Sequence, residues 1–164
     1  MAREPHPPKK KHPNKPRPTP LPPLTDDERA AKAVQEFEKA IVHLIEAEKL
    51  AAWGEAPGAC AHTAYYAMHH AARGAILAAG GVGRLMDAPP SHEHVIEHYG
   101  KLIASEPEPL ASTGLYLTRA RADRTVADYG LSAHITKSEA AETVGFARLM
   151  VDAIRARWDF STVS

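Results

Sequence analysis

The chain has 164 residues, a hydrophobic fraction of 44% and one cysteine, which suits a single folded domain with an ordinary core. Its longest apolar stretch, residues 74–83, lies between Arg73 and Arg84 and is too short for a transmembrane helix. The basic N-terminus has no apolar stretch behind it, so we predict no secretory signal. The lone Cys60 excludes an internal disulfide and a cysteine-based zinc site. We expect a soluble cytoplasmic protein without membrane contacts.

The net charge of zero conceals two segments of opposite charge. Residues 1–24 carry six basic residues, one acidic residue and nine of the 14 prolines, a net charge of +5, whereas residues 25–164 have a net charge of −5. Because the first segment buries little apolar surface and proline blocks helix formation, we predict a disordered, partly polyproline arm. Its run Lys9, Lys10, Lys11 is a candidate contact to RNA or another polyanion. The alternative, which we favour, is a solubilising extension.

Apolar spacings of three and four in the rest of the chain predict helices. Capping boxes begin the first helix at Thr25 and Glu28 and the fifth at Thr136. The predicted helices run to Trp53, over about 58–79, 91–104 and 110–129, and from Thr136 through Trp158. No run of five alternating residues predicts a strand. We predict an all-α, antiparallel four-helix up-and-down bundle with a short extra helix, a folded domain at 25–160 and a C-terminal tail at 161–164.

The second predicted helix carries an unusual concentration of histidine and tyrosine. His62, Tyr66, His69, His70 and Arg73 are three or four residues apart in overlapping pairs, which places most of them near one stripe of the helix. One interpretation is a cluster of imidazole and phenol groups placed for proton transfer. The alternative, which the residues alone favour, is a half-buried seam hydrogen-bonded to neighbouring helices.

The third predicted helix also contains a pair of histidines, His94 and His98, one turn apart. Two such histidines can share a metal ion, but the sequence offers no obvious further ligand, and the glutamates lack the spacing of a zinc protease. We therefore predict no metal site and no cofactor. The better interpretation is a solvated polar face with Val95, Ile96 and Tyr99 turned inward.

The fourth predicted helix is rich in arginine and aspartate. Arg119 with Asp123, and Arg124 with Asp128, are spaced for ion pairs one turn apart, and Arg121 lies between them. Two surface ion pairs would stabilise the helix by only a few tenths of a kcal/mol each. The functional interpretation is phosphate recognition by the three arginines, because guanidinium groups present forked donors that suit phosphate oxygens.

Three segments taken in order resemble the HEPN superfamily and, within it, the small stand-alone UPF0332 type. They are Ala64 to Arg73 (AYYAMHHAAR), Ser91 to Gly100 (SHEHVIEHYG) and Arg124 to Tyr129 (RTVADY). The resemblance covers about residues 26–160 and implies a four-helix bundle that is often a homodimer. Many such proteins are metal-independent ribonucleases, and many are toxins paired with a small nucleotidyltransferase antitoxin.

The chain departs from the ribonuclease pattern of the superfamily at one position. That pattern has an arginine and, four to six residues later, a histidine on the same helix, with two copies meeting across a dimer interface. The 2′-hydroxyl attacks the phosphorus, the histidine moves the proton, and the arginine stabilises the charge on the phosphoryl oxygens. Here Tyr129 stands where the histidine is expected, and the next histidine is His134, beyond Gly130. Tyrosine is a poor base at neutral pH, so the resemblance leaves catalysis open.

The candidate catalytic residues are Arg124 as the phosphate clamp, Asp128 as its orienting partner, and Tyr129, His70 or His92 in proton transfer. The candidate RNA contacts are Arg119, Arg121, Lys9, Lys10 and Lys11. Tyr129 is also a candidate for modification by a nucleotidyltransferase partner. Two functions are open: an RNA-cleaving component of a HEPN/nucleotidyltransferase toxin–antitoxin system, and a non-catalytic dimer that serves as an RNA- or protein-binding scaffold. The missing histidine favours the scaffold.

Overall fold

The computed structural model describes residues 22–80, 91–130 and 134–161, and within these ranges the protein is built from helices without strands. The helices are α1 (Asp26–Trp53), α2 (Pro57–Ala78), α3 (His92–Ile103), α4 (Thr113–Tyr129) and α5 (Lys137–Arg157), and a 3₁₀ turn at Leu110–Ser112 precedes α4. The predicted all-α helical bundle is confirmed. The predicted arm up to residue 21 with its lysines Lys9, Lys10 and Lys11, residues 81–90 and the predicted tail from residue 162 lie outside the described residues.

The helix ends follow the capping signals in the sequence. In both predicted capping boxes the threonine hydroxyl accepts the N–H of the glutamate three residues later, and that glutamate accepts the N–H of the threonine. Gly54 ends α1 in the left-handed region at φ 76°, a conformation that glycine adopts without steric cost. The fourth helix begins later than predicted, because the N–H of Leu110 bonds to the carbonyl of Pro107 in a tighter turn.

The central helix is α2, which contacts α1, α3, α4 and α5. Alanine and glycine occupy seven of its 13 buried positions, so neighbouring backbones approach closely. At Gly74, an added Cβ would lie 3.3 Å from the carbonyl oxygen of Ala33 on α1. The Cys60 thiol near the start of α2 donates to the carbonyl of Ala47 near the end of α1, at 3.5 Å. The two helices are therefore antiparallel.

Contacts between helix ends also give the positions of α3 and α4 relative to α2. Near the start of α2, Gly58 faces Ala127 near the end of α4, so these two helices are antiparallel as well. The first residue of α3, His92, contacts Tyr65 of α2. This topology gathers the polar residues of α2, the start of α3 and the last two turns of α4 in one region.

None of the described helices combines the length and the apolar character that crossing a membrane requires.

Candidate functional site

A cluster of aromatic and basic side chains surrounds Tyr66 on α2, and we call it the Tyr66 cluster. Its members come from four helices, with ring centroids or a guanidinium carbon 4.9–6.2 Å from the centroid of the Tyr66 ring. They are His43, His62, Tyr65, His69, His70, His92 and Arg124. The histidine stripe predicted on α2 is thus one wall of a larger cluster, to which α1, α3 and α4 each contribute one side chain.

One carboxylate in this region contacts both a guanidinium and an imidazole. The Nε of Arg124 lies 2.7 Å from Oδ2 of Asp128, and Nδ1 of His62 lies 3.0 Å from Oδ1 of the same residue. Because a carboxylate only accepts hydrogen bonds, Nδ1 of His62 carries the proton and donates it. The unprotonated nitrogen of His62 is then Nε2. This arrangement gives an imidazole with a fixed tautomer beside an arginine.

Arg124 keeps most of its donors available. Its Nε is close to Asp128, but it makes no well-directed hydrogen bond within the described residues, so the contact is an ion pair rather than a hydrogen bond. The guanidinium carbon lies 5.7 Å from the centroid of the Tyr66 ring and 5.9 Å from that of Tyr129. Aromatic rings on these sides hold the guanidinium in place, while its forked N–H groups can still bind an anion.

His92 lies at the other side of the cluster, hydrogen-bonded to a buried tyrosine. The hydroxyl oxygen of Tyr65 is 2.5 Å from Nδ1 of His92, and burial raises the pKa of Tyr65 to about 12. Burial and the positive charges of Arg124 and Arg121 lower the pKa of His92. The ring of His69, 4.6 Å from that of His92, is itself buried, and burial followed by the charge of His92 lowers its pKa to about 3. Both histidines are therefore neutral at neutral pH.

A buried carboxylate on α1 holds the opposite edge of the cluster. Glu36 accepts from His70 at 2.7 Å and Lys39 at 2.9 Å, and Arg73 lies 3.2 Å away. Burial by itself raises the pKa of Glu36, but these hydrogen bonds and the charge of Arg73 outweigh it and lower the pKa to about 2. His70 also stacks on His43, with ring centroids 5.4 Å apart. The candidate catalytic residue His70 is thus engaged with α1, and the Tyr66 ring contacts both it and Arg124.

The three arginines predicted to bind phosphate do not form one patch. Arg121 forms an ion pair with Glu93 at the start of α3. Arg119 pairs instead with Glu142 of α5 at 2.7 Å and lies over the ring of Phe146. The structure therefore brings Arg121 and Arg124 together around His92 and places Arg119 against α5.

The local ion pairs predicted on α4 have different outcomes. The pair of Arg124 and Asp128 forms as predicted. The prediction that Arg119 pairs with Asp123 was wrong. Asp123 instead accepts a hydrogen bond from the Thr143 hydroxyl at 3.1 Å, and Arg119 pairs with Glu142. Tyr129 is 71% exposed, and its ring centroid lies 5.9 Å from the guanidinium carbon of Arg124.

Sequence reasoning missed the pairing of His62 with Asp128, the contribution of His43 and the anchor Glu36. His62 belonged to the predicted stripe, and its spacing from Tyr66 was the available signal. Its partner lies 66 residues away in the chain. The pair His94 and His98 lies outside the cluster, and the described residues contain no group of three or more histidine, cysteine, aspartate or glutamate side chains placed to hold a metal.

The fold and cluster define a helical-bundle protein with an arginine, an aspartate and histidines on a shared surface. A comparison with protein families matches residues 33–157 to the HEPN domain. The match includes nearly the whole bundle and all of the Tyr66 cluster, so the chain belongs to the HEPN family. No curated protein matches the chain. The resemblance inferred from the three sequence segments is confirmed at the level of the superfamily.

Proposed function

We propose that this HEPN protein cleaves RNA without a metal ion, using Arg124, Asp128 and His62. The observation that carries the proposal is that the Asp128 carboxylate contacts both other side chains. Its bond to Nδ1 fixes His62 in the tautomer whose Nε2 accepts a proton, as the aspartate of a catalytic triad does for its histidine. His62 thereby supplies the imidazole that the sequence lacks four to six residues after Arg124.

The proposed reaction needs one proton acceptor and one group that stabilises negative charge. Nε2 of His62 takes the proton of a ribose 2′-hydroxyl as its oxygen bonds to the adjacent phosphorus. The bond from phosphorus to the 5′-oxygen breaks, which leaves a 2′,3′-cyclic phosphate on one fragment. The proton on His62 passes, directly or through water, to the departing 5′-oxygen. Arg124 stabilises the charge that grows on the phosphoryl oxygens.

The arginines around the cluster support an anionic substrate despite the net charge of −5 of residues 25–164. Arg124, Arg121 and Arg73 each act electrostatically on His92. Each of them is paired with a carboxylate, Asp128, Glu93 and Glu36 respectively, so what the region offers a phosphate is forked guanidinium donors rather than a net positive charge. The acidic remainder of the domain disfavours broad, unspecific RNA contact, so the proposal confines binding to this region and the basic tail.

The second candidate function is RNA binding without cleavage. It is favoured by the absence of a histidine four to six residues after Arg124, where Tyr129 stands instead. In this case the cluster holds a phosphate, and the protein acts as a scaffold for RNA or for a partner protein. The two functions predict the same loss of binding in Arg124 variants but differ in the RNA products.

The family membership also supports a proposal about the partner. We propose that the protein is a cytoplasmic, UPF0332-type homodimer paired with a nucleotidyltransferase antitoxin. Expression of the full chain alone is then expected to arrest bacterial growth, and co-expression of a nucleotidyltransferase encoded by the neighbouring gene is expected to relieve the arrest. Growth arrest that persists equally with the neighbouring gene would contradict the pairing.

The central experiment measures cleavage of single-stranded RNA by the full chain in EDTA, at low salt. We expect Arg124→Ala to lose activity by about a hundredfold or more, as for removal of a single charge-stabilising donor. The matched control is Arg148→Ala, which removes an arginine that is paired with Glu48 at the α1–α5 contact. Fragments with 2′,3′-cyclic phosphate ends support cleavage. Binding of RNA without fragments establishes the scaffold, and equal activity in wild type and Arg124→Ala excludes this site.

A further inference from the structure

The contact between the Tyr65 hydroxyl and Nδ1 of His92 indicates which of the two groups carries the shared proton. Tyr65 is fully buried, and its hydroxyl makes one side-chain contact within the described residues, to Nδ1 of His92. A buried hydroxyl proton without an acceptor costs about 1–3 kcal/mol. The phenol proton therefore points at Nδ1, and Tyr65 is the donor of this hydrogen bond.

An imidazole nitrogen that accepts a hydrogen bond is unprotonated, so a neutral His92 carries its proton on Nε2. Burial and the neighbouring arginines keep the ring neutral. The groups that face it are Arg121 and Arg124 of α4, Tyr65, Tyr66, His69 and Arg73 of α2, and Glu93 of α3. Glu93 favours protonation but is itself paired with Arg121. The three arginines oppose a positive charge on His92.

We propose that Tyr65 is a positioning residue that fixes His92 as a neutral Nε2–H donor, so that His92 donates a hydrogen bond to a phosphoryl oxygen and does not act as a base. The role toward phosphate rests on the proposed function, whereas the tautomer of His92 does not. His62 and His92 then present opposite groups to a substrate. His62 offers an acceptor at Nε2 because its Nδ1–H donates to Asp128, and His92 offers a donor at Nε2 because its Nδ1 accepts from Tyr65.

His62 and His92 thus have different roles, one as a proton acceptor and one as a hydrogen-bond donor, although the sequence alone does not distinguish them. A neutral donor next to Arg124 stabilises charge on the phosphoryl oxygens without adding a cation to a region that already holds three arginines. It also gives a function to the fully buried hydroxyl of Tyr65, because its hydrogen bond sets the orientation and tautomer of His92. Partners that orient a histidine at metal sites commonly change activity by about tenfold or more.

The test is nitrogen NMR of the histidine rings in the full-length, ¹⁵N-labelled protein at neutral pH. Long-range proton–nitrogen correlations distinguish a protonated ring nitrogen from an unprotonated one. We expect His92 to be protonated at Nε2 in the wild type and to lose this single tautomer in Tyr65→Phe. Tyr99→Phe is the matched control, since Tyr99 is equally buried but its hydroxyl pairs with Thr113 at 2.7 Å.

The outcomes separate this inference from the proposed function. A wild-type His92 that is protonated at Nδ1, or a charged His92, overturns the inference without need of any variant. An unchanged His92 in a folded Tyr65→Phe protein also overturns it. If RNA is cleaved, Tyr65→Phe is expected to lower kcat by about tenfold with little change in KM. If RNA is not cleaved but the NMR result is as expected, the tautomer stands and the reaction alone is wrong.

Discussion

The buried carboxylate of Glu36 gives the most quantitative prediction. Substitution by glutamine keeps the shape of the side chain and removes the charge that faces His70, Lys39 and Arg73. The pKa of Glu36 falls from 4.5 to about 2 in the folded protein, and one pKa unit corresponds to about 1.4 kcal/mol. The ionised carboxylate therefore contributes about 3 kcal/mol to the free energy of unfolding.

The sign of the pH dependence follows from the lowered pKa. The contribution is complete above the unfolded value of 4.5 and is lost as the pH falls through the folded value of about 2. At pH 7 we expect Glu36→Gln to lower Tm by roughly 6–12 °C, at about 2–4 °C per kcal/mol for a chain of this length. The difference from wild type is expected to shrink as the pH is lowered from about 5 toward 3.

The assay is urea unfolding followed by circular dichroism at a series of pH values, with Tm measured in parallel. Glu38→Gln is the matched control, because this exposed residue lies on the same helix and has no ion pair within the described residues. It is expected to change stability by less than about 0.5 kcal/mol. A Glu36→Gln loss below about 1 kcal/mol at pH 7, or a loss that stays constant down to pH 3, would refute this account of Glu36.

Two further predictions concern the contact between α1 and α2. Gly74→Ala is expected to destabilise the protein by about 1–2 kcal/mol, because the added Cβ meets the Ala33 carbonyl. Gly145→Ala, which has open space around it, is the control and is expected to be neutral or stabilising by up to about 1 kcal/mol. Equal urea midpoints for the two variants would contradict the close approach of α1 and α2 at Gly74. Cys60 is buried, and burial raises the pKa of its thiol. We therefore expect the thiol to react with a thiol reagent only when urea unfolds the chain. Rapid labelling of the native protein would show that the α1–α2 contact opens.

The sequence predicted the helices well because their ends are determined locally. A capping box such as Thr25 with Glu28 uses side chains three residues apart, and the structure contains both predicted boxes. The periodicity of α2 likewise predicted that its histidines and Tyr66 share a region. Local spacing was misleading for Arg119, because Glu142 of α5 competes with Asp123 for the same guanidinium. Such competition depends on which helices pack together, and spacing within one helix does not contain that information.

The contacts of the candidate site lay largely beyond sequence reasoning for the same reason. His62 and Asp128 are 66 residues apart, and His70 and Glu36 are 34 apart. Periodicity along one helix indicates which residues share a face, but not which residue of another helix will meet them. The tautomers of His62 and His92 are even harder to predict from the sequence, since each depends on a hydrogen-bond partner that contacts the ring only in the packed bundle.

RNA cleavage in EDTA by wild type, His62→Gln and His94→Gln shows most directly whether His62 is the base of the proposed reaction. His62 is paired with Asp128, whereas His94 is an exposed histidine on α3 outside the Tyr66 cluster. The account predicts that His62→Gln lowers the cleavage rate by about a hundredfold or more, as expected for the loss of a general base, and that His94→Gln cleaves like wild type. Cleavage by His62→Gln at the wild-type rate would contradict the account.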